Sequence, residues 1–98
     1  MESLYEAIIV GGGPAGASTA ILLAQAGWSV ALVEKQRFPR RKVCGECIAA
    51  TNLPLLDTLG VSEAFADLAG PELRRVGLFA GERILTADLP RFGDGPYT

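Results

Sequence analysis

Gly11, Gly13 and Gly16 fall on a G-x-G-x-x-G spacing, and Glu34 follows eighteen residues after the last of them. Those residue types at those intervals suit the binding of a dinucleotide. The missing side chain at Gly11 permits a tight exit from a strand, Gly13 lets backbone N–H groups approach a pyrophosphate, and Gly16 lets a helix lie close to a sheet. Pro14 fits the first helical turn, where its absent N–H is no loss, and with Ala15 it opens a helix whose positive end faces the anion. A carboxylate at Glu34 is placed to accept hydrogen bonds from the hydroxyls of an adenosine ribose, and its charge repels a 2′-phosphate.

The elements that must hold these residues are legible on either side of them. Tyr5 to Val10 supplies β-branched and apolar side chains for a buried strand, and Ser29 to Val33 supplies a second strand that Glu34 closes. Between them, helix formers and small residues run from Ala15 to Ala26, with Ala17, Ala20, Ile21 and Ala24 available to face a sheet and Gly27 to stop the helix. With 12 glycines in 98 residues, a glycine spacing alone is weak evidence. Its position after a strand, at the opening of a helix and ahead of a strand ending in an acid, is what gives it meaning.

After Glu34 comes KQRFPRRKVCGECIAATN, which gathers Lys35, Arg37, Arg40, Arg41 and Lys42 around a proline. One or two of these cations can reach phosphates held at the glycine turn, with Arg41 the first choice and Lys42 the second, while the others are ordinary solvated charges of a loop. Cys44 and Cys47 stand two residues apart. That spacing suits a redox disulfide or half of a metal site, and equally two thiols kept reduced. A four-cysteine metal site is excluded by the count of 2, and the count of 0 histidines removes His-based metal and nucleophile chemistry.

Composition narrows the classes further. At 49% hydrophobic, 20% charged and a formal charge of -2, the chain is globular in type and carries no basic footprint for nucleic acid. The apolar segments are interrupted before bilayer-spanning length, and Glu2 and Glu6 argue against a basic signal-peptide start, so the expectation is a cytoplasmic protein without an integral membrane segment. One βαβ unit, however, does not complete a dinucleotide-binding sheet. The expectation is therefore a fragment of a larger enzyme.

The remaining stretches organise into helices and then a hairpin. A turn from Glu46 is followed by a helix from Pro54 to Leu59, with Asn52 a plausible cap, Leu53, Leu56 and Leu59 an apolar stripe, and Gly60 the stop. A second short helix runs from Ser62 to Leu68, with Ala64, Phe65 and Leu68 available for packing. Leu73 to Ala80 and Arg83 to Ala87 read as antiparallel strands reversing at Gly81 and Glu82. Leu89 to Thr98 reads as a loop or frayed end in which Phe92 and Tyr97 serve ordinary packing or line a substrate cavity.

GGGPAG at Gly11 to Gly16, with Ala20, Gly27 and Glu34 and then FPRRKVCGE at Phe38 to Glu46, resembles the amino-terminal part of FAD-dependent oxidoreductases with a glutathione-reductase-type FAD fold. Within that group the chain is most similar to geranylgeranyl-reductase, aromatic-hydroxylase and flavin-dependent-halogenase relatives. The resemblance implies an α/β, Rossmann-like βαβ FAD-binding fold with the start of an inserted antiparallel sheet. It divides the chain into 1–70, the amino-terminal part of the FAD/NAD(P)-binding domain, and 71–98, the beginning of a substrate-domain hairpin and loop. The implied cofactor contacts are Gly11, Gly13, Pro14, Ala15, Gly16, Glu34, Lys35, Arg41, Lys42, Cys44 and Gly45. Cys44, Gly45 and Glu46 would lie on a loop approaching the cofactor or substrate, whereas Cys47 departs from the family pattern. No residue is assigned to catalysis.

The intact enzyme implied by this resemblance passes electrons through FAD from a transient reduced nicotinamide, NAD(P)H, to oxygen for hydroxylation or halogenation, or to a carbon–carbon double bond. Its substrate would be a small molecule, apolar or aromatic, and the 98 residues alone would be inactive. Two other functions fit the residues: an NAD-dependent dehydrogenase fragment, because Glu34 suits NAD as well, and a noncatalytic nucleotide-binding module.

Overall fold

The pairing that anchors the amino-terminal half is a parallel one between two short apolar segments, AIIV and VALV. In a computed structural model, which describes residues 4–42, 47–91 and 93, these are strands β1 (Ala7–Val10) and β2 (Val30–Val33). They run in register from Ala7 opposite Val30 to Val10 opposite Val33. Helix α1 (Pro14–Gln25) makes the crossover that a parallel pair requires. The chain divides into two compact units, Met1–Cys44 and Gly45–Thr98, and each is described by itself.

The first unit begins its ladder later than composition suggests, and the cause is a side chain. Glu6 N and Ala7 N both donate to the Ser29 carbonyl, at 2.8 and 3.2 Å, while the Ser29 N–H donates to the Glu6 carboxylate at 2.9 Å. The carboxylate thus takes a donor that a regular ladder would give to backbone, and regular pairing starts at Ala7 rather than Tyr5. At the other end the ladder continues one step into the turn, where Gly11 N donates to Val33 O at 2.7 Å.

Helix α1 lies directly against that turn. A Cβ on Gly16 would stand 1.9 Å from the Gly11 carbonyl oxygen and 3.3 Å from Ile9 Cγ2, so only a hydrogen fits between helix and strand. Ala17, Ala20 and Ile21 are half-buried and Ala24 is exposed. The helix ends as its sequence directs. Gly27 N donates to Ala24 O and Trp28 N to Leu23 O, each at 3.0 Å, with Gly27 in the left-handed region at φ 92°, the paired arrangement of a Schellman motif.

In the second unit a 3₁₀ turn at Ala50–Asn52 leads into α2 (Leu53–Leu59), then α3 (Ser62–Leu68). Helix α2 starts one residue before Pro54, which falls in its first turn, where a missing N–H costs nothing. Asn52 occupies the cap position without a side-chain hydrogen bond, and the Leu53, Leu56 and Leu59 stripe is the half-buried one. The Ser62 hydroxyl donates to the Asp57 carboxylate across the Gly60 break. Of the apolar residues of α3, Phe65 is half-buried and Ala64 and Leu68 are exposed.

Strands β3 (Arg75–Ala80) and β4 (Arg83–Asp88) form the antiparallel hairpin, reversing at Gly81 and Glu82 and pairing Val76 with Ala87 and Leu78 with Leu85. Its open end is tied by polar groups: Arg75 pairs with Asp88 at 3.4 Å and donates to Thr86 Oγ1 at 2.9 Å, and Leu89 N donates to Arg74 O at 2.8 Å. The expectations for Cys44, Gly45, Glu46, Phe92 and Tyr97 lie outside the described residues.

The Gly16 contact gives a direct test. Gly16→Ala should lower stability by about 1–3 kcal/mol or more, as overpacking against an unyielding carbonyl does. Gly70→Ala, at a position with open space around it, should change it little. Denaturant unfolding of both variants reads the difference, and equal stabilities would mean that helix and strand are not in the contact described.

Candidate functional site

The site is built from the three features that the end of β1 brings together: the glycine turn, the first turn of α1, and the segment following β2. Gly13 is the cap residue of α1, in extended backbone, and no side chain caps the helix. Pro14 has no N–H, and those of Ala15 and Gly16 lie too early in the helix to find an intrahelical acceptor. The first turn also carries no acid. Two donors and the positive end of the helix dipole are therefore left facing outward at Gly13.

Glu34 follows β2 and turns its carboxylate back over this turn. Its Oε1 accepts the Gly12 N–H at 3.0 Å and its Oε2 accepts the Gln36 N–H at 2.8 Å. Arg40 joins it, with Nη1 at 3.1 Å from Oε1, in a pair whose side chains are only 22% and 14% exposed. These contacts hold the Glu34 carboxyl below its ordinary pKa: the Gly12 N–H contributes most and the Gln36 N–H next, desolvation opposes them, and the charges of Arg40 and then Lys35 add smaller lowering effects. An acid placed here stays ionised.

The basic loop meets the turn through alternate residues. Arg40 Nη2 and Lys42 Nζ lie 3.4 and 3.5 Å from where a Cβ on Gly13 would stand. Arg41, between them in sequence and expected first at the phosphates, is exposed, as are Lys42 and Lys35. Phe38 completes the wall: its ring lies 3.4 Å from the Cβ position of Gly12, and the Arg40 guanidinium sits over it at 5.1 Å from the centroid. Sequence reasoning left out Gly12, Gln36 and Phe38 and did not single out Arg40. The signals available were a third consecutive glycine and an aromatic-proline-arginine run close behind the acid.

A family model described as FAD binding domain matches residues 4–91. The chain belongs to that family. Among its relatives, the FAD binding domain chain is 45% identical over 64 residues to tryptophan 2-halogenase of Chondromyces crocatus, covering 65% of this chain and 12% of that protein. It is 46% identical over 55 residues to 6-methylpretetramide 4-monooxygenase of Streptomyces rimosus, covering 56% of this chain and 13% of that one. Among solved structures, a myxobacterial chondrochloren halogenase, a variant of FAD-dependent halogenases, superposes with a TM-score of 0.75 at 26% identity, over 98% of this chain and 22% of the halogenase chain. The chain thus spans between about an eighth and a quarter of the length of these relatives.

The residues present fit the diphosphate of FAD. The space left by the missing Cβ of Gly13 is lined by two cations and opens on an uncapped helix start, a donor set matched to two negative charges and to nothing apolar. No metal-binding cluster of His, Cys, Asp or Glu occurs among the described residues, and none of their helices is long and apolar enough to cross a membrane. Cys47 is exposed, and its pairing with Cys44 falls outside the described residues.

The depressed Glu34 pKa has a definite consequence. A carboxyl whose pKa is lower folded than unfolded contributes stability above its unfolded value and loses it as pH falls through the folded one. The Gly12 and Gln36 amide resonances should therefore titrate together, with a midpoint below the ordinary glutamate value. Glu34→Gln should abolish that titration in an amide NMR series. Independent midpoints for the two amides would show that one carboxylate does not hold both.

Proposed function

We propose that the chain provides the adenosine-diphosphate half of an FAD site in an oxidoreductase of the monooxygenase and halogenase type. The observation that carries this is the convergence of Arg40 and Lys42 on Gly13, beside a carboxylate already ionised and aimed at the same turn. In this reading, Gly13 and the N–H groups of Ala15 and Gly16 receive the pyrophosphate, Lys42 and Arg40 neutralise it, and Glu34 accepts from the adenosine ribose. The isoalloxazine of bound FAD supplies the electron transfer. These residues anchor and orient the adenosine end, and proton transfer and substrate contact belong to groups outside this set.

The proposal extends to the whole protein. Reduced nicotinamide serves as electron source, the substrate is a small apolar or aromatic molecule, and the reaction takes place in the cytoplasm. Residues 1–70 belong to the nucleotide-binding domain and 71–98 open the substrate domain. Similarity to tryptophan 2-halogenase and to 6-methylpretetramide 4-monooxygenase supports oxygen-dependent chemistry.

The test is denaturant-released cofactor, identified by absorbance and mass, from protein expressed from its complete reading frame. FAD is the expected product, and anaerobic NAD(P)H should bleach the bound flavin. Oxygen consumption with a hydroxylated or, with halide, halogenated product would place the chemistry, whereas release of NAD or of no nucleotide would overturn the proposal.

A further inference from the structure

Glu34 presents the site with a conflict. A carboxylate suited to ribose hydroxyls is also a negative charge a few ångströms from the turn that must take a diphosphate, and its lowered pKa keeps it charged. Lys42 relieves only the phosphate side, since its ammonium is a point charge near Gly13. Arg40 stands between the two. Its Nη1 lies 3.1 Å from Glu34 Oε1, and its Nη2 lies 3.4 Å from the Cβ position of Gly13.

A guanidinium is planar and presents its donors in a fixed fork, so fixing one nitrogen on Glu34 aims the other. The Phe38 ring, 5.1 Å from the guanidinium carbon, supports it from one side. Because Oε1 already carries the Gly12 N–H and Arg40, a ribose hydroxyl finds its acceptor on Oε2, which holds one backbone N–H from Gln36.

We propose that Arg40 is a positioning residue that couples the two ends of the adenosine diphosphate moiety, steadying the ribose-binding carboxylate with one nitrogen and shielding the diphosphate from it with the other. The inference rests on the FAD reading of this site. Arg40 raises the preference for adenosine diphosphate over adenosine partly by its own charge and partly by offsetting that of Glu34.

The experiment measures dissociation constants of adenosine, ADP and FAD for the full-chain protein stripped of nucleotide, by calorimetry. Arg40→Ala should weaken ADP and FAD by about tenfold or more while adenosine changes by less than about threefold, the scale of one charge-assisted contact. Arg40→Lys, which keeps charge without the fork, should recover part of the ADP affinity. Adding Glu34→Gln to Arg40→Ala should restore part of the ADP-over-adenosine preference, because the charge Arg40 offsets is gone; a merely structural Arg40 gives no such restoration. Equal losses for adenosine and ADP, no loss for either, or a preference that stays low in the double variant would each overturn the coupling while wild-type binding of FAD leaves the site reading intact. Failure of the wild type to bind ADP or FAD would overturn the site reading and this inference with it.

Discussion

The contact on which the first unit depends is the one between a helix and a carbonyl oxygen. Gly16 brings α1 so near the Gly11 carbonyl that an added Cβ would overlap it at 1.9 Å. That closeness fixes where the helix begins relative to the strand, and the helix start is what presents N–H groups to an anion. Moving the helix outward would shift the cap residue Gly13 relative to Arg40 and Lys42, whose side-chain nitrogens lie 3.4 and 3.5 Å from its Cβ position. Steric exclusion at one residue thus determines electrostatics at another three positions away.

Glu34 performs a similar double duty in the plane of the sheet. By accepting from Gly12 it fastens the glycine turn to the segment after β2, and by accepting from Gln36 it shapes that segment itself. Hydrogen bonds from backbone donors favour the charged form, as the lowered pKa reflects. The acid is therefore part of the scaffold before it meets any ligand, and its charge is what makes a neighbouring arginine useful.

Much of this could be read from residue order because the determinants are local. Glycine spacing, Pro14, the stop at Gly27 and the Gly81 reversal each act within a few residues, and the helix from Ser62 to Leu68 falls where its pattern placed it. What could not be read depended on contacts across the chain. The late start of β1 follows from Glu6 capturing the Ser29 N–H, 23 residues away. Likewise the composition of KQRFPRRK does not say which cation turns inward. Arg40 does so with a carboxylate partner in Glu34 and a ring in Phe38, contacts that Arg41 does not make among the described residues. Periodicity gives no access to such a choice, since it is made by partners that lie close only after β2 has paired with β1.

The same distinction explains an apparent imbalance between site and core. Among the described residues, Ala50, 6% exposed, is the one buried apolar residue, while Ile8, Val10, Leu32 and Val33 of the parallel pair and Leu78 and Leu85 of the hairpin are exposed. Yet the glycine turn, the carboxylate and the two cations already stand in a mutually consistent arrangement. Their geometry is specified by exclusion at Gly16 and by hydrogen bonds spanning one βαβ unit, neither of which draws on a large hydrophobic core. Additional packing on the exposed faces would raise stability without needing to rebuild the site. That separation lets so short a stretch of sequence hold a carboxylate, two cations and a helix start in one arrangement.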